Sequence, residues 1–197
     1  MSATPEHINQ LIRDRRSIFT KWFTGDIVDE AIILQMLENA NWAPTHKLTE
    51  PWRFTVFAGE GLHKLAEFQA ELYKKVATAD GSYQEKKYEN LRAKPLEASH
   101  VIAIGMQRDP DTKIREIEEH AAVAAAVQNM HLTATAYGVG CYWGTGGITY
   151  FPEANEFFGL GPNDTFMGFL FVGIPQPDLD VAGSRGPIED KVTWVRE

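Results

Sequence analysis

The feature that most limits the fold is the Ala-rich run over residues 111–137, which ends at Gly138. Alanine loses no side-chain entropy on entering a helix, so a segment centred on Ala121-Ala122-Val123-Ala124-Ala125-Ala126 is expected to be one long helix. Gly138 supplies the left-handed residue that commonly closes such a helix. At a rise of about 1.5 Å per residue the helix would reach about 40 Å, long enough to run through the middle of a domain. Its small side chains let another backbone approach closely, so the other elements have to pack around it.

Those elements alternate between helix and strand. Thr4-Pro5 reads as a cap with proline at the first helical position, and Ile8, Leu11 and Ile12 form one apolar stripe behind it, ending near Arg15-Arg16-Ser17. Asp29 or a neighbour starts a second helix, in which Ile33, Met36, Leu37 and Ala40 recur at three and four residues before Pro44. Residues 43–51 are then a loop, 53–57 a strand punctuated by Gly59 and Gly61, and 62–79 a helix. The polar stretch 80–94 shows no clear stripe and reads equally as a mobile lid or a frayed helix. Residues 100–106 have the length and composition of a buried strand, Pro152 opens a short helix ending near Gly159, 166–172 is a last core strand, and 173–186 is an irregular tail. With no internal repeat or linker, the reading is one α+β domain over residues 1–197. Ile188, Val192, Trp194 and Val195 find no partner in the sequence, and exchange of the tail with a second subunit would bury them.

Composition removes several classes. The 197 residues carry 19 basic and 27 acidic side chains, and the formal charge of −8 repels phosphate backbones and anionic membranes. Neither nucleic acid nor a membrane is an expected partner. The single cysteine, Cys141, excludes an internal disulfide, and no apolar run reaches about 18 residues. The segment Met1-Ser2-Ala3-Thr4-Pro5 has no signal-peptide pattern, so a reduced, cytoplasmic setting is expected.

A few segments are candidates for chemistry. Arg15-Arg16-Ser17 offers two guanidinium forks and a hydroxyl, the donors a phosphate monoester wants, but successive helical residues diverge by about 100°, so both arginines reach one anion only if the helix has ended. A solvated helix end is the bland alternative. Arg185, between Gly183 and Gly186, is a second candidate anion ligand or an ordinary loop arginine. In Ala43-Pro44-Thr45-His46-Lys47-Leu48-Thr49-Glu50-Pro51-Trp52, two prolines stiffen a loop that can wall a flat ligand, with Trp52 packed in the core in any case. The glycines of residues 138–147 superficially match a dinucleotide fingerprint, but they close a helix and enter a strand, the reverse of a Rossmann loop. They can instead expose backbone N–H groups beside a ligand. Glu116, Glu119 and His120 read as a solvated helix face rather than a metal site, so no metal is expected, and Cys141 reads as a packed thiol.

Taken together, Arg15-Arg16-Ser17, residues 43–54, residues 138–146 and Gly168-Phe169-Leu170-Phe171-Val172-Gly173-Ile174-Pro175 leading to Arg185 resemble, in order and spacing, the nitroreductase family of FMN-dependent oxidoreductases. The resemblance is to the small bacterial subgroup whose loop reads Ala-Pro-x-His-Lys before Pro-Trp-Arg-Phe. It implies a mostly antiparallel central sheet flanked by helices, a tail exchanged in a homodimer, FMN as bound cofactor and NAD(P)H as co-substrate. It further implies ping-pong reduction of a nitroaromatic, quinone or similar small acceptor. Arg15, Arg16 and Ser17 fall where the family holds the FMN phosphate and ribityl chain, and Arg185 where a C-terminal arginine closes on that phosphate. Trp42, Pro44 and His46 would approach the flavin, Trp42 and His46 from the partner subunit. Trp143, Gly144 and Thr145 would line the ring, and residues 133–138 the nicotinamide side. No side chain is expected to be catalytic; a backbone N–H from the Gly144, Thr145, Gly146 turn would face flavin N5. The chain departs from the pattern at Leu48, where many relatives have Asn, at Glu50, where they have Gln, and at Trp42 and Gly144, where close relatives carry Arg. A specialised flavin reductase, dehalogenase or desaturase of the same fold and a flavin-binding protein without turnover stay open as alternatives.

Overall fold

A computed structural model describes residues 4–110 and 113–197. Its centre is a four-stranded sheet of β1 (Trp52–Ala58), β2 (His100–Met106), β3 (Gly140–Gly144) and β4 (Thr165–Gly173), in the order β1-β2-β4-β3, with each neighbouring pair antiparallel. Helices α1 (Pro5–Asp14), α2 (Glu30–Asn41), α3 (Glu60–Ala79), α4 (Glu85–Ala93), α5 (Glu116–Ala136) and α6 (Ala154–Phe157) surround it. Every residue of β2 is buried, which explains its unbroken apolar run: Ile102, Ile104 and Met106 face α2 and α5, and Val101 and Ala103 face α3.

One irregularity sets the geometry at the sheet's β3 edge. Ile104 pairs with Gly168 and Gly105 with Phe166, so Met167 is an extra residue on β4. The bulge reverses the alternation, placing Phe166 on the same face as Phe169 and Phe171 and leaving Leu170 and Val172 on the other. Gly168 carries it at φ +102°, and a Cβ there would stand 2.3 Å from the Gly144 carbonyl oxygen.

Two expectations change. The long helix starts at Glu116, giving 21 residues and about 32 Å rather than 40 Å. Arg108 is bonded on both sides of this point: its backbone N–H donates to Asp164 Oδ1 and its Nη2 to the Ile114 carbonyl. Asp111 and Thr112 lie outside the described residues. Glu116, Glu118 and Glu119 then occupy the first turn, where the helix dipole favours them. Thr4 holds the cap position of α1 as expected, but its side chain makes no capping bond.

The undecided stretch 80–94 is helical over α4. Its stripe escapes a periodicity reading because the contacts are to α3: Tyr88 Oη donates to Glu71 at 2.6 Å, Gln69 Nε2 to the Leu91 carbonyl, and Lys87 sits 4.6 Å from the centre of the Tyr73 ring. Leu91 packs so closely on Gly147 that a Cβ there would be 2.8 Å from it, which ties α4 to the turn after β3.

The tail stays on the surface. Ile188, Trp194 and Val195 are 63%, 76% and 85% exposed, so the chain alone gives them no cover. Helix α1 likewise buries none of its residues. Among the described residues no helix is long and apolar enough to cross a membrane.

The bulge yields a stability test. Gly168→Ala is expected to cost at least about 3 kcal/mol through strain and overlap, lowering Tm by roughly 6–12 °C in a thermal scan. Gly61→Ala, in α3 with only ordinary contacts to Phe57, is expected not to lower it. Equal midpoints for Gly168→Ala and the parent would refute the steric role of this glycine.

Candidate active site

Helix α1 stops at Asp14, and Arg15 leaves helical geometry at φ −58°, ψ 124°. Arg15 and Arg16 therefore escape the divergence of successive helical residues. Both line a cavity of about 480 Å³ together with Arg13, Gln128, Ser184 and Arg185. The two ends of the chain thus meet at one cavity. Among the described residues none of these four guanidinium groups lies in ion-pair range of a carboxylate, the three ion pairs being His46–Glu118, Arg92–Glu67 and Arg108–Glu119. In a chain of net charge −8, a cavity lined by four uncompensated arginines is a ready anion site.

Backbone pairing brings these segments together. Ser17 forms a parallel bridge with Cys141, and the Ile18 N–H donates to the Cys141 carbonyl at 2.9 Å. The tail leaves β4 beside Phe23, where Thr24 donates to Ile174 at 2.9 Å and Gln176 to Trp22 at 2.8 Å. The residues after Ser17 and those after β4 are thereby held side by side.

Strand β3 runs from Cys141 beside Ser17 toward Trp143 and Gly144, about 10 Å further on at roughly 3.3 Å per residue. Trp143 is half-buried and donates its indole N–H to the Met167 carbonyl at 2.9 Å, so the bulge fixes its ring. A Cβ on Gly144 would come within 3.1 Å of the Tyr142 ring and 3.3 Å of Phe171, so the space a larger residue would use is filled from inside the fold. Thr145 and Gly146 are exposed, and among the described residues neither gives its N–H to another backbone carbonyl. The glycine turn follows helix α5 and carries β3, and Gly138 adopts φ +69°, as the rejection of a Rossmann loop requires.

The loop residues sit elsewhere in the single chain. Pro44 is exposed, and Trp42 is 79% exposed with its indole N–H on Glu38 Oε1 at 3.0 Å. Trp42 borders a second concavity with Thr133, Ala136 and Tyr137. Thr133 is buried and accepts a 2.9 Å bond from Asn39. His46 Nδ1 lies 2.5 Å from Glu118 Oε2. Lys47, Leu48 and Glu50 all adopt positive φ, costly for residues with a Cβ, and the Thr45 hydroxyl, accepting from the Glu50 N–H at 3.2 Å, pins the turn. Within one chain these loop residues do not reach the arginine cavity.

The reading of Glu116, Glu119 and His120 as a solvated face needs correction. Glu119 is 1% exposed, pairs with Arg108 and accepts the Asp109 N–H at 2.8 Å. Its position one turn into α5, over the β2 end, turns it inward. No cluster of three potential metal ligands occurs among the described residues. Cys141 is buried, and desolvation raises its thiol well above the ordinary range, as a packed thiol requires.

Arg13, Gln128 and His131 were not singled out by sequence reasoning. Arg13 lies two residues before the pair that was noticed, and His131 continues the i, i+4 phase of Val123 and Val127, a signal that a polar group faces inward. His131 is 6% exposed and its Nδ1 has no partner. Burial, then the Arg15 charge, lowers its pKa from 6.5 to about 4. The unfolded chain takes up this proton near 6.5 and the folded chain only near 4, so His131 stabilises above pH 6.5 and that contribution falls as pH drops toward 4. Urea titrations should show about 2 kcal/mol less loss between pH 7.5 and 5 for His131→Gln than for the parent. Identical losses would contradict a buried neutral imidazole.

Comparison with known proteins identifies the family and the fold. Residues 12–174 match the Nitroreductase family. YfhC of Bacillus subtilis, whose name proposes an NAD(P)H nitroreductase, is 33% identical over 187 residues, 94% of this chain and 93% of its own. A crystal structure of a nitroreductase-like family protein from Bacillus cereus superposes with a TM-score of 0.81 at 30% identity, covering 99% of both chains. A structure from Desulfovibrio desulfuricans, named as a proposed nitroreductase in complex with FMN, gives 0.71 at 24% identity over 99% of each chain and speaks for the fold. The α+β architecture, the converging arginines and these matches place the chain in the nitroreductase family.

Proposed function

We propose that the chain is an FMN-dependent oxidoreductase that takes reducing equivalents from NAD(P)H and delivers them to a nitroaromatic, quinone or similar small acceptor. The observation that carries this reading is the cavity shared by Arg13, Arg15, Arg16 and Arg185, which have no carboxylate partner among the described residues. The FMN phosphate is a dianion of the right charge for such a site, and the Desulfovibrio protein with FMN supplies a precedent on the same fold. YfhC's name supports NAD(P)H as reductant.

FMN, when bound, would supply two-electron transfer from NAD(P)H to the acceptor, with each substrate occupying the same face in turn. The chain's own residues bind and orient. Arg15 and Arg185 would grip the phosphate, and Ser17, exposed at the start of the β3 pairing, would meet the ribityl chain. Trp143, fixed by its bond to Met167, would flank the ring, and the free N–H groups of Thr145 and Gly146 would face the ring's nitrogen edge. No side-chain acid or nucleophile is required.

The proposed assembly is a cytoplasmic homodimer. Half-exposed Ile8 and Ile12 on α1, exposed Trp42 and Leu48, and the uncovered tail support it, because an apolar surface of this extent is usually covered. In such a pair Trp42, Pro44 and His46 would complete the partner's flavin site.

The alternatives divide on turnover. A purified yellow chain that oxidises NADH or NADPH steadily only when a nitroaromatic or quinone is added is the expected result; flavin colour without consumption would favour a binder instead. Arg15→Ala and Arg185→Ala should each weaken FMN by roughly 10–100-fold, the loss of one charge-assisted contact, with riboflavin nearly unaffected because it lacks the phosphate. Titration by flavin fluorescence measures both, and full retention of FMN by either variant would defeat the assignment.

A further inference from the structure

Arg16 differs from the other arginines of the cavity in what its guanidinium already holds. Its Nε donates to the Val181 carbonyl at 2.9 Å, and its Nη1 to the carbonyls of Arg15, at 3.0 Å, and Arg13. Val181 belongs to the tail, whereas Arg13 and Arg15 lie at the end of α1, so one side chain joins segments 165 positions apart in the sequence. The contact is tight on its other face as well. A Cβ on Gly183 would fall 2.4 Å from both the guanidinium carbon and Nε of Arg16, so the tail backbone lies directly on the planar group. Arg185 follows two residues later, its Nη1 donating to the neighbouring Ser184 carbonyl at 2.7 Å.

We infer that Arg16 is a positioning residue rather than a phosphate ligand: it clasps the tail at Val181 and Gly183, and so sets Arg185 across the cavity from Arg15. A phosphate ligand has to spend its donors on the anion. Arg16 has committed Nε and Nη1 to main-chain carbonyls, which are otherwise the unsatisfied acceptors of a helix end and an irregular tail. A planar fork can serve acceptors on two segments at once, which an ammonium cannot do in one plane. Gly183 answers the same need from the opposite side. The side chain could swing clear of a Cβ at 183 only by releasing those carbonyls.

This inference rests on the flavin reading for its consequence, but its structural half can be tested without cofactor. In the full-length apoprotein, Arg16→Ala should speed tryptic cleavage after Arg185 and Lys191 by about tenfold, scored by mass spectrometry, because the tail loses its anchor. Arg15→Ala should leave that rate unchanged. Gly183→Ala keeps every charge and should reproduce the faster cleavage by displacing the guanidinium. With FMN, Arg16→Ala should weaken binding about tenfold in the parent but less than about twofold in the Arg185→Ala background, since a positioning residue has nothing left to position. Unchanged proteolysis together with an equal affinity loss in both backgrounds would make Arg16 a direct ligand and overturn the proposal. A chain that bound no FMN at all would overturn the flavin reading alone, and the cleavage rates would still decide the clasp.

Discussion

Everything proposed for this protein depends on four positive charges gathered where, among the described residues, they have no carboxylate counter-ion. Two unit charges about 7 Å apart at an effective dielectric of 20 repel by roughly 2 kcal/mol, so such a group does not assemble by itself. Main-chain pairing holds it together instead. Ser17 lies against Cys141 and Phe23 against Pro175 through backbone bridges, and the Arg16 guanidinium adds a side-chain bond to the Val181 carbonyl. The fold thus offsets the repulsion with hydrogen bonds, and an incoming dianion would relieve it.

The sheet would contribute the other half of the proposed site through a defect. The additional residue at Met167 turns the alternation of β4, presents a carbonyl to Trp143, and brings Gly168 against the Gly144 carbonyl. Without the bulge Phe166 would leave the aromatic cluster that it shares with Phe158 and Phe169. One irregular residue therefore links core packing under the sheet to the orientation of the Trp143 ring. Helix α4 braces the same turn from outside by seating Leu91 on Gly147.

Surface burial tells which elements are incomplete in a single chain. The core on both faces of the sheet is closed, with Met36, Ile102 and Met130 almost fully buried on one face and Leu65, Val101 and Ile148 on the other. Helix α1, Trp42, Leu48 and the last ten residues keep apolar groups in water. The strained loop at Lys47, Leu48 and Glu50 belongs to this second set: it spends backbone energy to present Leu48, which touches little in its own chain.

Much of this was legible in the residue order. Apolar spacing located α2 because burial of a face imposes a period along the chain, unbroken apolar runs located the buried strands, the alanine run located the body of α5, and Gly138 marked a left-handed end that other residues adopt only at a cost. The motif segments named Arg15, Arg16 and Arg185 as partners, and the cavity joins them. What escaped was whatever depends on a distant neighbour. Glu119 looks solvated until Arg108 is folded beside it, α4 looks featureless until Tyr73 and Gln69 of α3 stand against it, and Arg16 looks like a second copy of Arg15 until the tail crosses it. Local order along the chain determines which groups are available and which faces must be buried; the pairing of groups far apart in sequence is set by three-dimensional packing, because hydrogen-bond partners and dielectric surroundings exist only once the chain has closed on itself.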